Sequence, residues 1–157
     1  MNNQVIVKFK KLNSEAKMPV KASKSAACFD IYAGVSETHG GTYFIAPQTW
    51  TFISTGIAMA IPEGYHAKVF SRSGHGTKEI NLMNCVGIID SDYRGELKIL
   101  LRNNKHKDYF AIDPGERVAQ IMIEKNVDTL FIEVPILDET DRGQGGFGST
   151  GIKEIDK

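Results

Sequence analysis

Gly87-Ile88-Ile89-Asp90-Ser91-Asp92-Tyr93-Arg94-Gly95-Glu96 is an apolar, β-branched run that ends in a carboxylate, turns, and leads into a second apolar run at 97–101. Ile88 and Ile89 favour a strand, while the Asp, Ser and Gly residues favour the reversal that follows. The stretch reads as a β-hairpin with Asp90 at its tip and Tyr93 beside it. A strand that delivers an acid next to a flat ring suits a pocket for a small cyclic substrate. The acid can activate a water, and the ring can press on a sugar or base. The same residues also suit a plain turn, so the rest of the chain has to decide.

Outward from this stretch the chain keeps the same character. β-rich runs occur at 5–9, 51–61, 65–70, 86–89, 97–101, 117–124 and 129–134. Turn signals such as Pro62-Glu63-Gly64, Tyr93-Arg94-Gly95 and Asp113-Pro114-Gly115 part them. No window carries sustained apolar recurrence at helical spacing, so at most one short helix fits, near 73–79. Many short strands predict an all-β antiparallel sandwich or barrel.

A chain of 157 residues is about one domain, and 41% hydrophobic with 24% charged residues is ordinary globular composition. A formal net charge of zero argues against a nucleic-acid partner, which calls for a basic excess. Residues 1–13 alternate polar and apolar, which fits neither a signal peptide nor a membrane span, and no later stretch is long enough to cross a bilayer. Cys28 and Cys85 lie far apart without CxxC pairing and read as free thiols of a reducing compartment. His39, His66, His75 and His106 show no metal-ligand spacing. Cytoplasmic placement is the expectation.

Arg142-Gly143-Gln144-Gly145-Gly146-Phe147-Gly148-Ser149-Thr150-Gly151 has five glycines in ten residues, which predicts a mobile arm. Its guanidinium, ring and two hydroxyls, set among backbone N–H groups, could close over a phosphorylated aromatic ligand. The literal GxGxxG at 143–148 is not a dinucleotide fingerprint, because no acidic residue follows well downstream. The expected organisation is a β-barrel domain at 1–137 and an arm at 138–157.

Four further patches carry chemistry. Ala27-Cys28-Phe29-Asp30-Ile31-Tyr32-Ala33 sets an acid inside an apolar run, where Asp30 requires a partner. Ser71-Arg72-Ser73-Gly74 follows a strand and offers a guanidinium, a hydroxyl and a flexible backbone to an anion, with Ser73 also a good helix cap. Asn84-Cys85-Val86-Gly87 leads into the Asp90 turn, where backbone groups near Gly87 could read a base edge. Pro114-Gly115-Glu116-Arg117-Val118-Ala119-Gln120 turns into a strand and leaves Gln120 as a phosphate or water contact.

These five segments, in this order from Ala27 to Gly151, resemble the five motifs of the trimeric dUTP pyrophosphatases, the dUTPases. Three positions depart from the family pattern: Cys28 stands where glycine is common, Ser71 where proline or glycine is frequent, and His75 where an aliphatic residue is usual. The segment between the second and third motifs is also a residue short.

The resemblance implies an all-β, distorted jelly-roll barrel with at most one short helix and a flexible glycine-rich C-terminal tail. It also implies a homotrimer whose three sites are shared between subunits, the arm closing a neighbour's pocket. The implied reaction converts dUTP to dUMP and pyrophosphate, limiting uracil in DNA and supplying dUMP for thymidylate synthesis. By the same resemblance Asp90 is the catalytic base for attack on the α-phosphorus. Substrate-binding residues are Arg72, Ser73, Gly74, Asn84, Gly87, Ile89, Tyr93, Gln120, Arg142, Phe147, Gly148, Ser149 and Thr150. Tyr93 packs on the deoxyribose and Phe147 stacks on uracil. Mg²⁺ rides mainly on the triphosphate, with Asp30 organising its water shell or a nearby arginine. Arg94 and Glu96 read as solvated turn charges. Two alternatives are a dCTP deaminase of the same fold and a non-catalytic binding module; the intact third and fifth motifs favour the hydrolase.

Overall fold

The computed structural model describes residues 4–149. Among them are ten strands, one turn of α-helix and one 3₁₀ turn. The strands are β1 Lys8–Lys11, β2 Phe29–Tyr32, β3 Tyr43–Ile45, β4 Trp50–Ala60, β5 Tyr65–Phe70, β6 Ile80–Leu82, β7 Gly87–Ile89, β8 Glu96–Asn103, β9 Phe110–Ile112 and β10 Arg117–Lys125. Helical turn α1 spans Ser73–Gly76. One sheet runs β1-β4-β8-β6, a second β2-β10-β5-β7, and β3 pairs with β9. All named pairs are antiparallel. This is the all-β, jelly-roll-like architecture expected.

Period-two alternation builds the core. Leu97, Ile99 and Leu101 point inward from β8, and Ile53 and Ile57 from β4, to meet Ile31, Val69, Val118 and Ile121 of the second sheet in one buried cluster. The β4–β8 register slips between Ser54 and Ala58, at Gly56 with φ +67°. Glu96 braces the slip: its Oε1 accepts from the Gly56 N–H at 2.8 Å and from the Ser54 hydroxyl. Glu96 is therefore a half-buried structural acceptor, not a solvated charge.

Three local expectations change. Residues 87–101 do not form a hairpin, because β7 pairs with β5 and β8 with β4 and β6; the Asp90 turn carries the chain from one sheet to the other. The helix near 73–79 shortens to one turn, with Arg72 at the cap position, no side-chain cap bond, and Ser73 already helical. Residues 129–134 have strand composition but form no strand. Leu130 is 81% and Phe131 92% exposed, and no neighbouring ladder among the described residues satisfies this backbone.

Internal contacts divide the chain into two units, Met1–Val127 and Asp128–Lys157. All ten strands lie in the first. In the second, the described residues make tight turns, with Gly143 N–H donating to Thr140 O at 2.9 Å and Ser149 N–H to Gly146 O at 3.0 Å.

Candidate active site

Strand β10 gathers three of the singled-out patches. It places Gln120 opposite Asp30 of β2 on one side and opposite Phe70 of β5 on the other. The chain leaving Phe70 then brings Arg72 onto Asp30. Arg72 Nε donates to Asp30 Oδ1 at 3.1 Å, and Arg117 Nη1 donates to Asp30 Oδ2 at 3.1 Å. Arg72 Nη1 also reaches the Arg117 carbonyl at 3.3 Å. Asp30 thus sits in an apolar strand at 8% exposure with each oxygen on a guanidinium, which answers its desolvation cost. Gln120 Nε2 donates to the Ser71 carbonyl at 2.9 Å, and Ser71 Oγ accepts from the Leu82 N–H at 2.8 Å.

These groups border a cavity of about 240 Å³ that includes Cys28, Asp30, Arg72, Ser73 and Gln120. Two arginines against one carboxylate leave the assembly net positive. A guanidinium carries five N–H donors, so Arg72 keeps several for an incoming anion. Ser73 and Gly74 are exposed, and nothing lies within 4 Å of a side chain built on Gly74. The arrangement can grip phosphate oxygens.

Asp90 follows β7 and is exposed. Its carbonyl accepts from the Tyr93 N–H at 3.2 Å, whereas its carboxylate bonds to none of the described residues. It stands between a cavity of about 520 Å³ shared with Tyr65, His66, Ser91, Asp92 and Asn126, and one of about 300 Å³ shared with Phe52, Ile89, Tyr93 and Glu96. Tyr93 Oη donates to the Glu96 carbonyl at 2.9 Å, holding the half-exposed ring across the turn. Arg94 Nη1 donates to the Ser91 carbonyl at 2.6 Å and locks the turn from outside. Gly87 is buried: a Cβ there would come within 3.3 Å of Val69 and 3.0 Å of Asn84 Nδ2. Ile89 packs partly on the core, while Asn84 is exposed. An unpaired carboxylate on a braced turn can hold and deprotonate a water.

The two halves do not meet within one chain. Pairing of Ala67 with Ile89 and Lys68 with Ile88 sets Asp90 level with His66, at the start of β5. Arg72 lies beyond the far end of that strand. Six residues of extended chain at about 3.3 Å each put roughly 20 Å between them.

Arg142, Phe147, Gly148 and Ser149 belong to the second unit, and Thr150 lies outside the described residues. Arg142 Nε donates to the Gly145 carbonyl at 2.9 Å, and Phe147 is fully exposed. Sequence reasoning missed Arg117 and Glu96 as structural partners. The acid at 30 was the signal for Arg117, since a carboxylate in an apolar strand calls for a cation on the adjacent one. No group of three or more His, Cys, Asp or Glu among the described residues could hold a metal ion, so the donor set fits only an ion carried mainly by substrate phosphates. Among the described residues, no helix is long and apolar enough to cross a membrane.

The dUTPase family model matches residues 14–151. The deoxyuridine 5′-triphosphate nucleotidohydrolase of Syntrophotalea carbinolica is 42% identical over 152 residues, covering 94% of this chain and 98% of that protein. That of Rickettsia typhi is 43% identical over 148 residues, covering 93% and 97%. Among solved structures, the Staphylococcus bacteriophage 80alpha dUTPase with dUpNHpp superposes with TM-score 0.79 at 28% identity, covering 94% of this chain and 99% of that one. A mutant dUTPase from phage phi11 of S. aureus, described with a structural Mg(II) ion, gives TM-score 0.72 at 25% identity, covering 83% and 97%.

Proposed function

This chain belongs to the dUTPase family, and from that membership we infer that it hydrolyses dUTP to dUMP and pyrophosphate. The observation that carries the reading to particular residues is the pairing of a net-positive phosphate cradle, Arg72–Asp30–Arg117, with an unpaired carboxylate at Asp90. Arg72, Ser73 and Gly74 grip the triphosphate, with Gln120 alongside. Asn84, Gly87 and Ile89 present backbone and amide groups to the uracil edge. Tyr93 stops a ribose 2′-hydroxyl. Asp90 orients a water in line with the α-phosphorus and takes its proton. Most of the rate comes from this positioning and from charge placed in advance.

A Mg²⁺ ion carried on the triphosphate would supply charge neutralisation for the departing pyrophosphate. Asp30 would hold that ion through water at most, because both its oxygens already hold arginines. Its main work is to aim Arg72.

The span of roughly 20 Å between the Asp90 and Arg72 regions supports a site assembled from different chains. One triphosphate cannot reach both ends of β5. A homotrimer that sets the Asp90 turn of one chain against the cradle of the next resolves this. The arm that bears Arg142, Phe147, Gly148, Ser149 and Thr150 then closes the shared pocket, with Phe147 over the base. The same reading carries the cytoplasmic assignment. The reaction is tested by incubating the protein with each deoxynucleoside triphosphate and Mg²⁺ and identifying the products. Formation of dUMP and pyrophosphate from dUTP alone is expected; deamination of dCTP, or no turnover of any nucleotide, contradicts it.

A further inference from the structure

His75 is the inward residue of the turn that carries Arg72, Ser73 and Gly74. Its ring is buried at 7% exposure and meets Phe110 of β9 edge-on, with centroids 5.8 Å apart and planes at 82°. The Val118 carbonyl of β10 lies on the ring's side and favours its proton. Nδ1 is buried with no partner. Asp30 and the Arg117 carbonyl hold the turn at Arg72; past it the turn bonds only locally, with the His75 and Gly76 N–H groups on the Arg72 carbonyl at 3.0 and 3.1 Å and no side-chain cap. The ring therefore couples the turn's far end to two strands of the barrel.

We propose that His75 is a positioning residue of the phosphate cradle, whose neutral ring clamps the Ser73–Gly76 turn onto β9 and β10 and whose protonation releases it. The proposal rests on the reading of Arg72, Ser73 and Gly74 as the triphosphate grip. The charged groups around the ring oppose a second proton. Arg72 and Lys78 are the charges that act on it, both from its own turn. From β9 it faces Phe110, over which Lys105 Nζ sits at 5.9 Å, and from β10 it faces the Val118 carbonyl. No carboxylate acts on it among the described residues.

Burial, and after it the Arg72 charge, hold the imidazole below its ordinary range, while the Val118 carbonyl partly opposes them. The sign follows. A released ring takes up its proton near pH 6.5, whereas the clamped ring resists it to lower pH. The released form binds more protons in that window, so the clamp is strongest above about pH 6.5 and weakens as pH falls below it. Substrate affinity then drops in proportion to the clamped fraction.

The test compares wild type with His75→Leu, an aliphatic side chain of similar size with no proton to gain. KM and kcat for dUTP are measured from pH 8 to pH 5. Every other group of enzyme and substrate is common to both proteins, so the difference between profiles isolates His75. Wild-type KM should rise on the order of two- to threefold more than that of His75→Leu between pH 7.5 and 5.5, with the two kcat profiles parallel. Coinciding KM profiles overturn the proposal. A second measurement needs no variant: NMR titration of wild type should show His75 gaining its proton below pH 6.5 in step with shifts of the Ser73 and Gly74 amides. Titration at or above that value, or amides that ignore it, also overturns it. Arg72→Gln separates the two readings. If it leaves KM unchanged, the cradle assignment falls and His75 with it; if KM rises while the His75 profiles coincide, only the clamp falls.

Discussion

Arg72 Nε lies 3.1 Å from Asp30 Oδ1, joining residues 42 positions apart in sequence. The bond fixes the guanidinium that faces the candidate phosphate cavity. A carboxylate on an edge strand thus sets the direction of a cation on a following turn. Binding and stability should therefore respond together when Asp30 is changed.

Asp30→Asn keeps the size and removes the charge. Hydrogen bonds to charged groups contribute about 1.5–3 kcal/mol each in buried settings, and partial exposure of both arginines reduces that here. A loss of about 1–2 kcal/mol in urea denaturation is expected, with KM for dUTP raised more than kcat is lowered. An unchanged midpoint and KM would show that the pair neither holds the strand nor aims Arg72.

Asp90→Asn should behave in the opposite way. The carboxylate has no structural bond to lose among the described residues, so stability and nucleotide affinity should hold while kcat falls roughly 10²–10⁴-fold. Near-normal turnover with dUTP would remove Asp90 from the role of base.

Tyr93 is held by its hydroxyl on the Glu96 carbonyl, with its ring across the turn. Tyr93→Ala should narrow the preference for dUTP over UTP in kcat/KM more than it weakens dUTP binding, because a steric stop is gone. Tyr93→Phe, which keeps the ring, should retain most of the preference. If both variants discriminate like wild type, the ring does not read the sugar.

Strands β4, β5, β8 and β10 were legible because their β-branched and aromatic runs are long enough to show a pattern, and β7 because a turn signal bounds it. Strands β3, β6 and β9 have three residues each, and their pairing depends on neighbours far along the chain. The run at 129–134 shows the converse: β composition without a ladder leaves the backbone irregular. Asp30, Arg72 and Gln120 were identified by residue type and order. Arg117 and Glu96 were not, because their partners lie 87 and 42 positions away and only the sheet registers bring them together. The apparent hairpin at 87–101 could not be told from a corner, since local turn chemistry is the same whichever strands the two arms join.

The central claim is that the base and the phosphate grip of one working site come from different chains. Asp90→Asn and Arg72→Gln chains, each nearly inactive alone, should regain dUTP hydrolysis when unfolded together and refolded as mixed trimers. Some sites would then combine an intact Asp90 from one chain with an intact Arg72 from another. The decisive measurement is pyrophosphate release from dUTP by the co-refolded mixture against each variant refolded alone, with mixed-trimer formation verified by native mass spectrometry. Activity well above the sum of the two is the predicted result; no recovery in verified mixed trimers, or a monomeric mass for the active protein, would contradict the account.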